Sequence, residues 1–315
     1  MEKIVLCGVG GNLGGRTAEI LLETHPHDKL IFTSPRADRL EAFAAQGVET
    51  RIADFNDAAG LSGVFDGADV MILVSMPFVG QKRRDAHKNA LDAAISAGVK
   101  KIVYTSVVGA GCADIDAYEV NDHVWFEQYI RSRPIHYLIL RNSQYAEAMI
   151  SSYVFAHESN HGVVVNNMGD GKMALISRLD CAKAAAAAAT CGWEDRVIDV
   201  NGAQLLSIGE FVRLGNAVTG LNVRYEAISD EENYAYFDAM GVPRKTDGEW
   251  TGDAAKFPYC SDGMVSFGRA IRKNQMAVCT DDFKKLTGDD PIPLTEMFEH
   301  VRDFLVGERN SVDTY

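Results

Sequence analysis

The chain has 315 residues, 47% of them hydrophobic and 24% charged, with a formal net charge of −13. That composition can bury a sizeable core without disulfides or metal. It argues against a duplex-binding surface, which needs clustered Lys and Arg; the longest basic run, Lys82-Arg83-Arg84, reads as a solvated helix start. The six cysteines are scattered without a CxxC pair, so no metal site is expected. No apolar stretch approaches the ~20 residues needed to span a bilayer, and no signal-type apolar region follows Met1. The expected location is therefore cytoplasmic, with neither membrane nor nucleic acid as partner.

Strand and helix patterns alternate from the start. Lys3 to Cys7 reads as a strand and Arg16 to Glu23 as a helix. Strand Leu30 to Thr33, helix Arg39 to Ala45, strand Glu49 to Ala53 and a short helix Ala58 to Phe65 follow. Val70 to Val74 contains no polar residue, as suits a parallel strand covered on both faces. Helix Arg84 to Ala97 stops at Gly98, followed by strand Lys101 to Thr105, helix Tyr118 to Arg131 and strand His136 to Leu140. This alternation predicts an α/β fold: a doubly wound parallel sheet with helices on both faces.

After about residue 150 the rhythm breaks. Gly162 to Asn166 reads as a strand, and Gly169 to Lys172 as a turn. Helix Leu179 to Ala189 and strand Arg196 to Val200 can rejoin the main sheet. Helix Ile208 to Val218, strand Val223 to Ala227 and helices near 230–240 and 294–306 complete the chain. The expected division is a dinucleotide-binding domain over 1–155, rejoined by about 180–202, and a smaller α+β lobe over 156–315.

Gly8-Val9-Gly10-Gly11-Asn12-Leu13-Gly14 falls between the first strand and the first helix. In a GxxGxxG loop at that junction, the first glycine permits a tight turn and the second lets the backbone approach a pyrophosphate. The third lets helix and strand pack closely. The helix N-terminus then directs free N–H groups at the phosphates. The loop makes the sheet Rossmann-type.

Nicotinamide domains that prefer NAD carry an acidic residue after the second strand, to accept from the ribose 2′-hydroxyl. Here the segment is Thr33-Ser34-Pro35-Arg36. Arg36 can pair with a 2′-phosphate, which points to NADP(H), although Asp38 competes for its guanidinium. Asp54 and Phe55 follow the third strand. They suit the adenine, as acceptor and ring neighbour, or equally a turn before the next helix.

With these residues in place, the chain resembles the NmrA-like branch of the atypical short-chain dehydrogenase/reductases. The likeness is carried by residues 97–106, by His123-Val124-Trp125-Phe126-Glu127, and by Leu138-Ile139-Leu140-Arg141-Asn142 with Tyr145-Ala146-Glu147. It continues through Gly169-Asp170-Gly171-Lys172, Ser177-Arg178-Leu179-Asp180 and 280–288. Within that branch the spacing most resembles NAD(P)H:quinone oxidoreductases and triphenylmethane reductases. The resemblance implies a C-terminal substrate lobe, a cleft against it, and hydride transfer to a small aromatic acceptor such as a quinone or dye. Isoflavone and lignan reductases, and NmrA-type redox-sensing regulators without turnover, are the alternatives within the family. Monomer or homodimer stays open.

The Tyr-x-x-x-Lys of ordinary short-chain dehydrogenases is missing: four residues after Tyr118 stands Asp122, which neither lowers a tyrosine pKa nor binds a ribose. The site of an open α/β sheet lies beyond its C-terminal strand ends. Those ends offer Ser75, Met76, Ser106 and Asn142 to the cofactor, and Phe78, Gln144 and Tyr145 to the acceptor. His123 is the candidate titrating group, since a free imidazole titrates near neutrality; Tyr145 is the candidate hydrogen-bond donor to a developing oxyanion. Glu147 reads as structural, paired with Arg141. Trp250, Phe257 and Tyr259 line either an aromatic pocket or a satellite core.

Overall fold

A computed structural model describes residues 1–77, 79–159, 161–245, 257 and 259–306. Phe78 and Trp250 lie outside the described residues. Strands β1 (Ile4–Cys7), β2 (Leu30–Ser34), β3 (Glu49–Ile52), β4 (Val70–Leu73), β5 (Lys101–Val107), β6 (His136–Asn142) and β8 (Arg196–Val200) form one sheet in the order β3-β2-β1-β4-β5-β6-β8. Every pairing in it is parallel. The order reverses at β1, which places the ligand crevice beyond the C-terminal ends of β1 and β4.

The strands alternate between two apolar layers, as a period of two requires. Ile4, Leu6, Leu30, Phe32, Val70, Ile72, Val103, Leu138 and Leu140 face one layer. There they meet α1 (Asn12–Thr24) and the alanine-rich α6 (Arg178–Thr190), whose small side chains let it pack close to α1. Val5, Cys7, Ile31, Met71, Leu73, Ile102, Tyr104 and Ile139 face the other layer, against α3 (Gln81–Ser96) and α4 (Tyr118–Arg131).

A third cluster fills the C-terminal part, between α5 (Ala146–Ser159), α7 (Ile208–Thr219), α9 (Ser261–Arg272) and α11 (Leu294–Glu299). Strands β7 (Val163–Asn166) and β9 (Arg224–Ala227) pair there as a separate parallel ribbon, and α8 (Asp230–Ala239) packs on α9. The helices α2 (Glu41–Ala44) and α10 (Asp282–Thr287) are short.

Three features differ from the sequence reading. Residues 58–65 form turns rather than a helix: Gly63 and Gly67 take positive φ, and the Asp57 carboxylate accepts from the Gly60 N–H. Helices α5, α9 and α10 were not expected. The tail breaks at His300, between α11 and a 3-10 turn over Val301–Phe304. Among the described residues, no helix is long and apolar enough to cross a membrane, and no group of three or more His, Cys, Asp or Glu is placed to hold a metal ion.

Candidate active site

The turn after β1 is built from backbone. Gly8 sits at φ +90°, and its N–H and that of Val9 reach the Thr33 carbonyl. Gly11 is the N-cap of α1 without a side-chain cap, and no acidic residue lies in the first turn. The first-turn N–H groups of a 13-residue helix are thus left facing the crevice, the arrangement that binds phosphate. A Cβ on Gly14 would overlap the Gly8 carbonyl, so only glycine lets the helix start this close to the strand end. Asn12 is exposed, whereas Leu13 points into the core.

Gly10 lies under the second strand's exit. Its Cα faces the Arg39 side-chain stem and the Ser34 hydroxyl, which also accepts from the Arg36 N–H at 3.2 Å. The Arg36 guanidinium is bound by Asp38 through both oxygens, at 3.1 and 2.8 Å, and remains 40% exposed. Arg39, absent from the sequence reading, is 41% exposed and 3.8 Å from the same carboxylate. The exit of β2 therefore carries two arginines around one aspartate. Asp54 is exposed and folds its carboxylate onto the Asn56 N–H and amide, while Phe55 is buried beneath the sheet. Both positions carry the turn; nothing in their contacts singles out the adenine.

Beyond the end of β4, the Ser75 N–H donates to Thr105 Oγ1 at 2.8 Å and the Met76 N–H to His87 Nε2 at 3.0 Å. Ser106 is buried, its hydroxyl spent on Glu127 at 2.7 Å. Asn142 is 3% exposed; its nearest polar neighbour is the Tyr145 hydroxyl, and neither atom of its amide makes a well-formed hydrogen bond among the described residues. The Ser143 hydroxyl is in the same condition. Buried polar groups rarely stay unpaired, so this end of the cleft suits a ligand that brings donors and acceptors, as a carboxamide does. Gln144 and Tyr145 are half-buried, and the Arg178 guanidinium lies 5.1 Å from the Tyr145 ring centroid. Burial pushes the Tyr145 phenol up to about 12, so it stays a neutral donor at neutral pH.

His123 does not reach the cleft as an accessible imidazole. It is 6% exposed, with Nδ1 bound to Tyr104 Oη at 2.7 Å and Nε2 to Arg83 Nη2 at 2.6 Å. Burial, then the Arg83 charge, hold its pKa well below the usual imidazole range. Nε2 must accept from the guanidinium, so the ring is neutral and its single proton is committed to Tyr104. Asp122 is equally committed: one oxygen takes the Gly80 N–H and the other Arg84 Nε, both at 2.6 Å.

Glu147 is not paired with Arg141. Arg141 forks onto Glu127 at 2.9 and 2.6 Å, and Glu147 accepts the Arg178 N–H at 2.8 Å. Phe257 and Tyr259 pack with Phe237 and Val265 in a small satellite core. A groove of about 740 Å³ lies at the opposite, N-terminal ends of the strands. Its cations Lys100, Arg131, Arg133 and His136 are each paired with a carboxylate.

A parallel sheet of this order, an uncapped glycine turn at its switch point and buried polar side chains at the end of β6 define a nicotinamide-dinucleotide protein. The chain belongs to the NAD(P)H-binding family, whose sequence profile matches residues 8–191, and within it to the NmrA-like atypical short-chain dehydrogenase/reductases. It is 32% identical to quinone oxidoreductase 2 of Escherichia coli (strain K12) over 241 residues, 76% of this chain and 82% of that protein. Among solved structures, it resembles an Escherichia coli NADPH-dependent quinone oxidoreductase in complex with NADPH. The TM-score is 0.84 and the identity 29%, covering 95% of this chain and 99% of that one. It also resembles Citrobacter sp. triphenylmethane reductase in complex with NADP(H), with TM-score 0.81 and 26% identity over 96% of this chain and all of that one.

Proposed function

We propose that the protein is an NADPH-dependent reductase that delivers hydride to a quinone, a triphenylmethane dye or another conjugated aromatic acceptor. The observation that carries this reading is how the site's proton donors are spent. His123 is neutral with both nitrogens engaged, Asp122 is consumed by Gly80 and Arg84, and burial holds the Tyr145 proton tightly. Such a site suits an acceptor whose conjugation absorbs the hydride's electrons and which solvent can protonate afterwards. It does not suit a simple ketone, which needs a strong acid at the carbonyl. The relatives named above reduce quinones or dyes with NADPH, in agreement.

The nicotinamide supplies the hydride when bound, and the protein supplies orientation and exclusion of water. In this reading the amides of the Gly8–Gly14 turn hold the pyrophosphate. Arg36, with Ser34 and Arg39 beside it, meets the 2′-phosphate. Ser75 and Met76 border the nicotinamide, and the Asn142 amide orients its carboxamide. Ser106 supports the wall through Glu127. Tyr145 offers its hydroxyl to an acceptor oxygen, with Gln144 beside it. His123 acts through Tyr104 and Arg83 rather than as an acid.

The test is NADPH oxidation against a panel of benzoquinones, naphthoquinones and triphenylmethane dyes, with cofactor binding measured by calorimetry. Turnover with members of the panel is expected. Firm NADPH binding with no turnover on any member would sink the reading.

A further inference from the structure

The segment between β4 and α3 carries Met76 to the nicotinamide side of the cleft. It is held from below at two points, neither of them adjacent in sequence. At one end the Met76 N–H donates to His87 Nε2 at 3.0 Å, from α3; at the other the Gly80 N–H donates to Asp122 Oδ2 at 2.6 Å, from α4. Gly80 takes φ +84°, a turn that favours glycine. His87 is 1% exposed and Asp122 3%. The two holders belong to one assembly. Arg84 Nε ties Asp122 back to α3 at 2.6 Å. The His87 ring meets Tyr104 edge-on and packs on Phe126, and Tyr104 continues through His123 to Arg83.

An imidazole and a carboxylate in such positions cost stability relative to apolar side chains of similar shape. Each spends an acceptor on a backbone N–H of the same segment. We infer that His87 and Asp122 are positioning residues: a two-point clamp that fixes the backbone at Met76 and at Gly80 and so selects the planar aromatic acceptors that fit over the nicotinamide. This rests on the reading of Met76 as a border of the nicotinamide site.

The test compares His87→Gln with His87→Leu, and Asp122→Asn with Asp122→Leu. Glutamine and asparagine keep an oxygen for the N–H; leucine fills the space without one. Loss of one anchoring hydrogen bond predicts about a tenfold rise in acceptor KM for each leucine variant, with NADPH affinity within about twofold of wild type. The amide variants recover most of it. Hydrogen exchange at the Met76 and Gly80 amides rises in the leucine variants only. If the two side chains merely filled the core, leucine would serve at least as well as the amides. Equal acceptor KM in leucine and amide variants therefore overturns the clamp. Met76→Ala separates the two ideas: unchanged acceptor KM there overturns the placement of the segment over the nicotinamide. A changed KM there, with leucine and amide variants alike, overturns the clamp alone. Thermal unfolding is read in parallel, and if His87→Leu does not fold, the Asp122 pair makes the same comparison.

Discussion

The sheet half and the C-terminal lobe are held together by different forces. In the sheet half, strands alternate apolar side chains between two layers, and the cofactor turn is made of backbone and glycine. In the lobe, α8, α9 and the segment after β7 are stapled by buried polar groups. Asn167 Nδ2 donates to Asp230 Oδ1 and to the Val265 carbonyl, Asn167 Oδ1 accepts from Asn233, and Arg269 and Arg272 close on Asp230. Gly268 and Gly171 leave room for this: a Cβ on one would strike Asn167, and on the other the Ile271 carbonyl. A turn made of backbone has no charge to lose and is sensitive to volume. A polar staple is sensitive to charge. Cofactor binding should therefore fail by steric change in the first half, while the lobe should fail by acid.

The largest expected effect is steric. Gly14→Val drives a side chain into the Gly8 carbonyl and opens the turn from which α1 starts. Overpacking of this kind costs about 3 kcal/mol, or about a hundredfold in NADPH affinity by calorimetry. Affinity within about threefold of wild type would show that the turn relaxes, and would break the contrast drawn above.

Next comes the lobe. Asn167→Ala leaves the Val265 carbonyl and Asn233 without partners, and should lower stability to urea by about 2 kcal/mol while sparing NADPH affinity. Burial works against the Asp230 carboxylate, but hydrogen bonds from Arg272, Asn167 and Arg269 outweigh it and draw its pKa from 3.8 to about 2. A pKa depressed in the folded state contributes stability above the unfolded value and loses it as pH falls through the folded one. The contribution is therefore whole above about pH 4 and vanishes towards pH 2. Asp230→Asn should flatten that limb of the stability profile. An unchanged acid limb would mean that the lobe does not depend on this staple.

The same contrast explains what could be read along the chain. The glycine turn and the strand segments of the main sheet depend on neighbours in sequence or on a period of two, and they stand where patterning places them. The short helix expected at 58–65 fails because three glycines and an aspartate side chain close turns instead. Helix α9 hides because its glycines suggest a loop, whereas Gly268 is there to admit Asn167 from a segment about a hundred residues away. His87 and Asp122 carry no local signature, since each acts on a backbone N–H supplied by folding. His123 shows the reverse case: its position in sequence suggests a titrating group, and its partners Arg83 and Tyr104 decide otherwise.

A smaller effect tests the cofactor's 2′ end. Arg36→Ala should weaken NADPH by about tenfold, the scale of one charge-assisted hydrogen-bonded contact, and leave NADH nearly unchanged. Equal losses for both cofactors would remove Arg36 from the 2′-phosphate and shift attention to Arg39.

The smallest effect is the most pointed. Asp38 already occupies the Arg36 guanidinium through both oxygens, and sits 3.8 Å from Arg39. A 2′-phosphate must compete with it, and an exposed ion pair is weak and screened by salt. Asp38→Asn removes the competing charge without shortening the side chain. NADPH affinity should rise by about threefold, the gain should shrink as salt is added, and NADH should not respond. Weaker NADPH binding in this variant would give Asp38 the opposite role. It would then be the group that holds Arg36 in its binding pose, and the 2′ end would depend on a side-chain staple as the lobe does.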